Sequence, residues 1–271
     1  MNIASEYIKY LFKAQGRHGI HSPFVYDFVD KCLTVKLDEN FTEARKSLQK
    51  SLSNNHQLIQ TEDAGAGSRT LGRIRSVQSI YKKACCKGVY ADLLYQLTNY
   101  YQPKTVLELG TSLGIGTMHL AAGCREAQVI SVDACKDTLK EAKRNLEFMR
   151  LMYADPARKS QIQLLHMKFE DYLTAADPKP CFDLVYIDGH HLGRPLVKYL
   201  KLLKTCTHEN TIFLLDDIRW NDDMLLHWKK LVASKRFHLS LDLFRMGILI
   251  PRPQQQKEHF MIRLKHVLGG F

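Results

Sequence analysis

From about residue 88 onward, apolar and polar positions alternate between two periods. "KTVLELG", "AQVISVD", "IQLLHM", "FDLVYID" and "TIFLLDD" are short apolar runs, most of them closing on a glycine or an acid. Such runs read as buried strands. "YADLLYQLTNYY", "RPLVKYLKLLKT" and "DDMLLHWKKLVAS" carry helical spacing. "DTLKEAKRNLEFM" places Leu139, Ala142, Leu146 and Met149 on one helical face. Strands apolar on both faces and separated by helices predict a parallel sheet covered on both sides. "FHLSLDLF" and "MGILIPR" lie too close for a helical crossover, so they predict an antiparallel hairpin with a tight turn near Gly247. "EHFMIRLK" alternates like a strand but has no evident place. The expected fold is α/β: a Rossmann-like, seven-stranded, mostly parallel sheet with a C-terminal antiparallel hairpin, helices on both faces and an N-terminal helical segment.

Residues 1–87 form that segment and 88–271 the main domain. The first part shows no strand alternation, and turn signals at "QGRHG", "HSPF" and "EDAGAGS" divide it into helices and loops. "MNIASEYIKYLFKAQ" mixes charges where a secretory signal needs an apolar core, so it reads as an amphipathic helix. Without an apolar run of roughly 18 residues, no membrane span is expected, and the location read from these features is cytoplasmic. Seven cysteines, an odd number with no metal-knuckle spacing, suggest reduced thiols. A net charge of +11 favours anionic partners.

In open α/β sheets, ligands sit beyond the carboxyl ends of the strands. "LELGTSLGIGT" supplies a glycine turn there, with Gly110, Gly114 and Gly116 in a G-x-x-x-G-x-G spacing preceded by Glu108. That spacing differs from the G-x-G-x-x-G of a dinucleotide site. Asp133 ends the next strand, where a carboxylate can accept bonds from both ribose hydroxyls; the alternative is a helix cap near Asp137.

Residues 88–250 resemble class I S-adenosylmethionine-dependent methyltransferases. Glu108, Gly110, Gly114 and Asp133 stand where that family has E-x-G-x-x-x-G and its ribose acid, and Phe169 and Glu170 match its adenine-side positions. The resemblance implies S-adenosylmethionine as cosubstrate. It would be held by these residues together with Thr111, Ser112, Gly116, Thr117, Ala134, Asp188 and His190. Glu108 would order the turn and meet the methionine amine.

"LVYIDGHH" and "TIFLLDDIRW" both run apolar until they meet acids, bringing Asp188, Asp216 and Asp217 to one edge. Three crowded carboxylates repel unless a cation or proton intervenes, and Mg²⁺ or another divalent ion suits oxygen ligands. Successive strand residues face opposite ways, so Asp216 and Asp217 share an ion only if the strand ends between them. Otherwise one of them caps the next helix or pairs with Arg219. The arrangement resembles the metal-dependent catechol and caffeoyl-CoA O-methyltransferases, with His191 where those enzymes carry a lysine. That implies Asp188 and His191 as catalytic residues, with the imidazole accepting the proton of the acceptor hydroxyl. His190 would be a metal ligand or pack on adenine.

The acceptor site is expected from the first segment, through His18, His21, Asp63 and Arg69, with Trp220 from the main domain. A small hydroxylated molecule is the first expectation for the acceptor. The rivals are an RNA methyltransferase of the same fold and a non-catalytic cosubstrate-binding protein. A second copy of the chain, as a homodimer, stands among the partners; a membrane does not.

Overall fold

The computed structural model describes residues 2–16, 20–61, 74–153 and 159–264. Its centre is an eight-stranded sheet. β3 (Thr105–Leu109), β4 (Gln128–Asp133), β5 (Gln161–His166), β6 (Phe182–Ile187) and β7 (Thr207–Leu215) are parallel. β8 (Leu239–Leu243) and β9 (Met246–Ile250) form the hairpin, and β10 (Glu258–Met261) adds parallel to β8. The spatial order is β10-β8-β9-β7-β6-β3-β4-β5, so the chain reverses its winding between β3 and β6. That is where such sheets open a crevice.

Two details differ from the sequence reading. The sheet has eight strands rather than seven, because "EHFM" pairs with β8 at the outer edge. The hairpin turn falls on Phe244 and Arg245, while Gly247 lies inside β9, where a Cβ would come 2.6 Å from the Trp228 ring.

Alternation along the strands sorts side chains between two cores. Leu107 and Leu109 of β3, Val185 and Ile187 of β6, and Phe213 and Leu215 of β7 meet α8 (Phe169–Thr174), α9 (Gly193–Leu202) and α10 (Asp222–Ala233). Val106, Leu184 and Leu214 face the other way, towards α5 (Val89–Tyr101) and α6 (Ile115–Gly123). α7 (Lys136–Met152) follows β4 on that second face. Each strand therefore carries apolar groups on both sides, which is why period 2 is invisible in its sequence.

The first segment holds α1 (Ile3–Lys13), α2 (Pro23–Asp30), α3 (Glu39–Ser53) and α4 (Val77–Ala84). It also holds a two-stranded antiparallel ribbon, β1 (Leu58–Gln60) with β2 (Ile74–Ser76), which the absence of strand alternation did not announce. Phe41, Leu48 and Ile80 from this segment share one core with Tyr95, Met118 and Met149. Arg45 of α3 pairs with Asp92 and touches His119, pinning α3 across α5 and α6. Among the described residues, no helix is long and apolar enough to cross a membrane.

Candidate active site

The turn after β3 needs its glycines for specific reasons. Gly110 has φ +116, and a Cβ there would stand 2.0 Å from the Asp188 carbonyl oxygen. Gly114 starts α6 at φ +79, close against Ala142. Both backbone conformations disfavour any residue with a Cβ. Between them Ser112 adopts φ +48, and its N–H donates to Asp133 Oδ2 at 2.8 Å.

Ser131, Glu108 and Tyr186 lie side by side across β4, β3 and β6, in register and on one face. Glu108 is fully buried. Its Oε2 accepts from the hydroxyls of Ser131, at 2.5 Å, and Thr117; Thr111 Oγ1 lies 2.6 Å from Ser131 Oγ. Its Oε1 has no partner among the described residues and faces Gly116, where a Cβ would come within 2.3 Å. Burial pushes the Glu108 carboxyl up to about 7 despite the two hydroxyls. An unpaired carboxylate oxygen under a glycine turn is suited to a cationic amine.

Asp133 holds two turns together: besides Ser112, it accepts from Cys135 N–H at 2.8 Å through Oδ1. Burial raises its pKa. It does not cap α7, whose first residue follows Cys135. Ala134 flanks it, and the Ala134 carbonyl lies 2.9 Å from His166 Nε2. β1 reaches the same tip, with Gln60 N–H donating to Asp137 Oδ2 at 3.0 Å and Cys135 Sγ–H to the Gln60 carbonyl at 3.4 Å.

Phe169, which opens α8 after β5, packs against Gly189 and edge-on to His190, with ring centroids 5.3 Å apart. His190 Nδ1 is bonded to the Tyr199 hydroxyl. Glu170, by contrast, is exposed and paired with Lys198 of α9. The adenine-side positions thus resolve into Phe169 and His190 facing each other and Glu170 at the surface.

Beyond β6 and β7 the chain turns sharply: His190, His191 and Asp217 have φ of +67, +30 and +51. The bend at Asp217 separates the two neighbouring acids. Asp216 is withdrawn from solvent and accepts both arms of Arg245, Nε at 2.9 Å and Nη2 at 2.8 Å. Asp217 keeps one oxygen 3.0 Å from Arg245 Nε and turns the other towards His191 Nδ1, 3.6 Å away. The Tyr186 hydroxyl donates to Asp188 Oδ2 at 3.0 Å. Burial, then Asp216 and Asp217, push the Asp188 carboxyl well above its usual range, and burial with Asp216 lifts Asp217 to about 6.

One ligand atom each from Asp188, His191 and Asp217 fall within 4.8 Å of one another. Of the three aspartates expected together, Asp188 and Asp217 lie grouped with His191, whereas Asp216 is engaged by Arg245. Neither alternative foreseen for the acids applies: Arg219 is bound to Asp242 at 2.7 Å, and Asn221 caps α10. Trp220 is 58% exposed, its ring centroid 5.2 Å from that of His191.

His18, Asp63 and Arg69 lie outside the described residues. His21 precedes α2, whose Phe24 stacks on Tyr101 and lies under Arg252. Tyr101 closes α5 just before β3 begins, so this loop packs at the opposite end of the sheet from the crevice. Its aromatics are consumed in packing, and the structure does not bring His21 to the other candidates. Sequence reasoning missed Tyr186, Ser131 and Arg245. Register with Glu108 would have flagged the first two, whereas Arg245 meets its partners only through the hairpin.

Residues 107–218 match a family model described as a methyltransferase domain. No protein of curated function matches the chain. Among solved structures, an O-methyltransferase from Bacillus cereus in complex with S-adenosylhomocysteine is 15% identical, with 83% of this chain and 96% of that one covered at a TM-score of 0.52. The S-adenosylhomocysteine-bound Podospora anserina methyltransferase PaMTH1 is 13% identical, with coverage of 85% and 96% and a TM-score of 0.54. The O-methyltransferase TomG of Streptomyces achromogenes, in complex with S-adenosylmethionine, is 13% identical, with 84% and 96% covered at 0.51. At these identities, what is shared is the fold.

Proposed function

We propose that this chain, a methyltransferase domain of the class I fold over residues 107–218, transfers the methyl group of S-adenosylmethionine to a hydroxyl of a small acceptor. One observation carries the reading. The buried, unpartnered oxygen of Glu108 and the Asp133 tip belong to β3 and β4, whereas Asp188, His191 and Asp217 follow β6 and β7, across the point where the strand order reverses. S-adenosylmethionine supplies a methyl group already activated on a sulfonium. The protein's task is then alignment. Glu108 Oε1 receives the methionine amine, the Gly110–Gly114 turn admits the chain of the cosubstrate, and Asp133 receives the ribose hydroxyls. Phe169 and His190 border the adenine.

Across the crevice, Trp220 offers an exposed face for the acceptor, and His191 takes the proton of its hydroxyl as the oxygen attacks. Asp217, beside the imidazole, stabilises the charge that forms there. The donor set also fits a divalent cation. Asp188 and Asp217 would hold it through oxygens, as suits Mg²⁺, and it would lower the pKa of the acceptor hydroxyl. The excess of basic residues supports a second reading, a nucleic-acid acceptor, which predicts tRNA binding that weakens steeply with salt.

Calorimetric titration with S-adenosylmethionine tests the donor half. Incubation with pooled hydroxylated metabolites, with and without chelator, tests the rest. Saturable cosubstrate binding and release of S-adenosylhomocysteine are expected. Absence of cosubstrate binding would overturn the whole reading, whereas turnover unaffected by chelator would remove only the cation.

A further inference from the structure

Arg245 has no part in holding the donor, yet it dominates the opposite side. It sits in the two-residue turn between β8 and β9, where Phe244 takes φ +72. The turn is tied down on several sides. Ile218 N–H donates to the Arg245 carbonyl at 2.9 Å, and Arg245 N–H reaches the Tyr90 hydroxyl at 3.4 Å. The Tyr90 hydroxyl in turn donates to the Leu243 carbonyl at 3.0 Å. A guanidinium delivered from such an anchored turn has little freedom to withdraw.

Its effect on Asp216 is complete. Both oxygens of that carboxylate accept from Arg245, Oδ1 also accepts the Asp217 N–H at 2.8 Å, and Oδ2 lies 3.3 Å from the Tyr186 hydroxyl. None of this side chain is exposed. Asp217 differs, since one of its oxygens points to His191. Two adjacent acids thus have unlike duties, and a cation that neutralises part of the crowding, at Asp216 and Asp217, is already part of the chain.

Resting on the cation reading given above, we propose that Arg245 is the resident cation of this rim. It holds Asp216 out of the coordination of any divalent ion, which Asp188 and Asp217 bind without it. Arg245 is a positioning residue, acting through Asp216.

Mn²⁺ uptake by the full chain, followed by electron paramagnetic resonance, tests this. Asp217→Asn and Asp188→Asn should each weaken Mn²⁺ binding at least about tenfold. The double variant Asp216→Asn with Arg245→Met removes the Arg245–Asp216 ion pair with no change in net charge, and with it the 3.0 Å contact of Arg245 Nε to Asp217. It should bind Mn²⁺ no more than about threefold more weakly than wild type. A tenfold loss in that double variant, with cosubstrate affinity intact, would overturn the proposal. Should the double variant not fold, Arg245→Met alone decides. Mn²⁺ should then raise its melting temperature by more than it raises that of wild type, because the released Asp216 joins the ion; an equal or smaller rise overturns it. Wild-type protein that takes up no Mn²⁺ at all would overturn the cation reading itself, and no variant is needed to see that.

Discussion

Gly110 and Asp188 touch: a Cβ on the first would stand 2.0 Å from the carbonyl oxygen of the second. The turn that would hold the methyl donor and the strand end that would receive the acceptor are therefore packed backbone to backbone. The approach is reinforced by Asp188 N–H, which donates to the Leu109 carbonyl at 2.9 Å.

Gly110→Ala should accordingly disable the site. The φ of +116 strains any other residue, and the new methyl group must displace the Asp188 backbone just past β6. We expect a stability loss of about 3 kcal/mol or more and no measurable cosubstrate binding. Denaturant unfolding and calorimetry check the two separately.

Glu108→Gln should separate stability from binding. The folded carboxyl titrates at about 7, against an ordinary value of 4.5. Its protonated form is thus favoured by the fold, and this contribution is present below 4.5 and lost as pH rises through 7. Wild type should lose on the order of 3 kcal/mol relative to Glu108→Gln across that window. Cosubstrate affinity should move the other way, rising with pH in wild type as the carboxylate forms, and staying flat and weaker in the variant.

His119 makes an opposite prediction. Its Nδ1 lies 2.7 Å from the Ile115 carbonyl, so that nitrogen carries the proton, and Arg45 approaches Nε2 at 3.4 Å. Burial lowers its pKa to about 4, against 6.5. Stability from the neutral ring is full above 6.5 and lost as pH falls through 4. Melting curves between pH 7 and 4 should show wild type falling by on the order of 3 kcal/mol relative to His119→Gln.

Asp133→Asn and Asp133→Ala should differ in degree. The alanine variant loses the acceptors for both Ser112 N–H and Cys135 N–H, which costs about 1–3 kcal/mol as well as the ribose contact. The asparagine variant retains one acceptor oxygen and mainly loses charge. Cosubstrate affinity should drop at least about tenfold in both, with loss of thermal stability concentrated in Asp133→Ala.

Much of this molecule was legible in its sequence. Apolar runs separated by helical periods determined the doubly covered parallel sheet, because a strand buried on both faces can be written only in apolar residues. Glycine and aspartate at the ends of those runs marked the rim, where Gly110, Gly114 and Asp217 take positive φ.

Tertiary structure decided which side chains share a contact. Sequence neighbours Asp216 and Asp217 were expected to act together, but a bend at φ +51 sends one to Arg245 and turns the other to His191. Arg245 reaches them from a turn nearly thirty residues along the chain, and neither period nor motif records such a pairing. His21 of the "HSPF" loop was expected at the acceptor site, yet Phe24 of that loop packs on Tyr101 and under Arg252 at the far end of the sheet. Local pattern specifies what an element buries; only the packing of distant elements specifies which charge neutralises which.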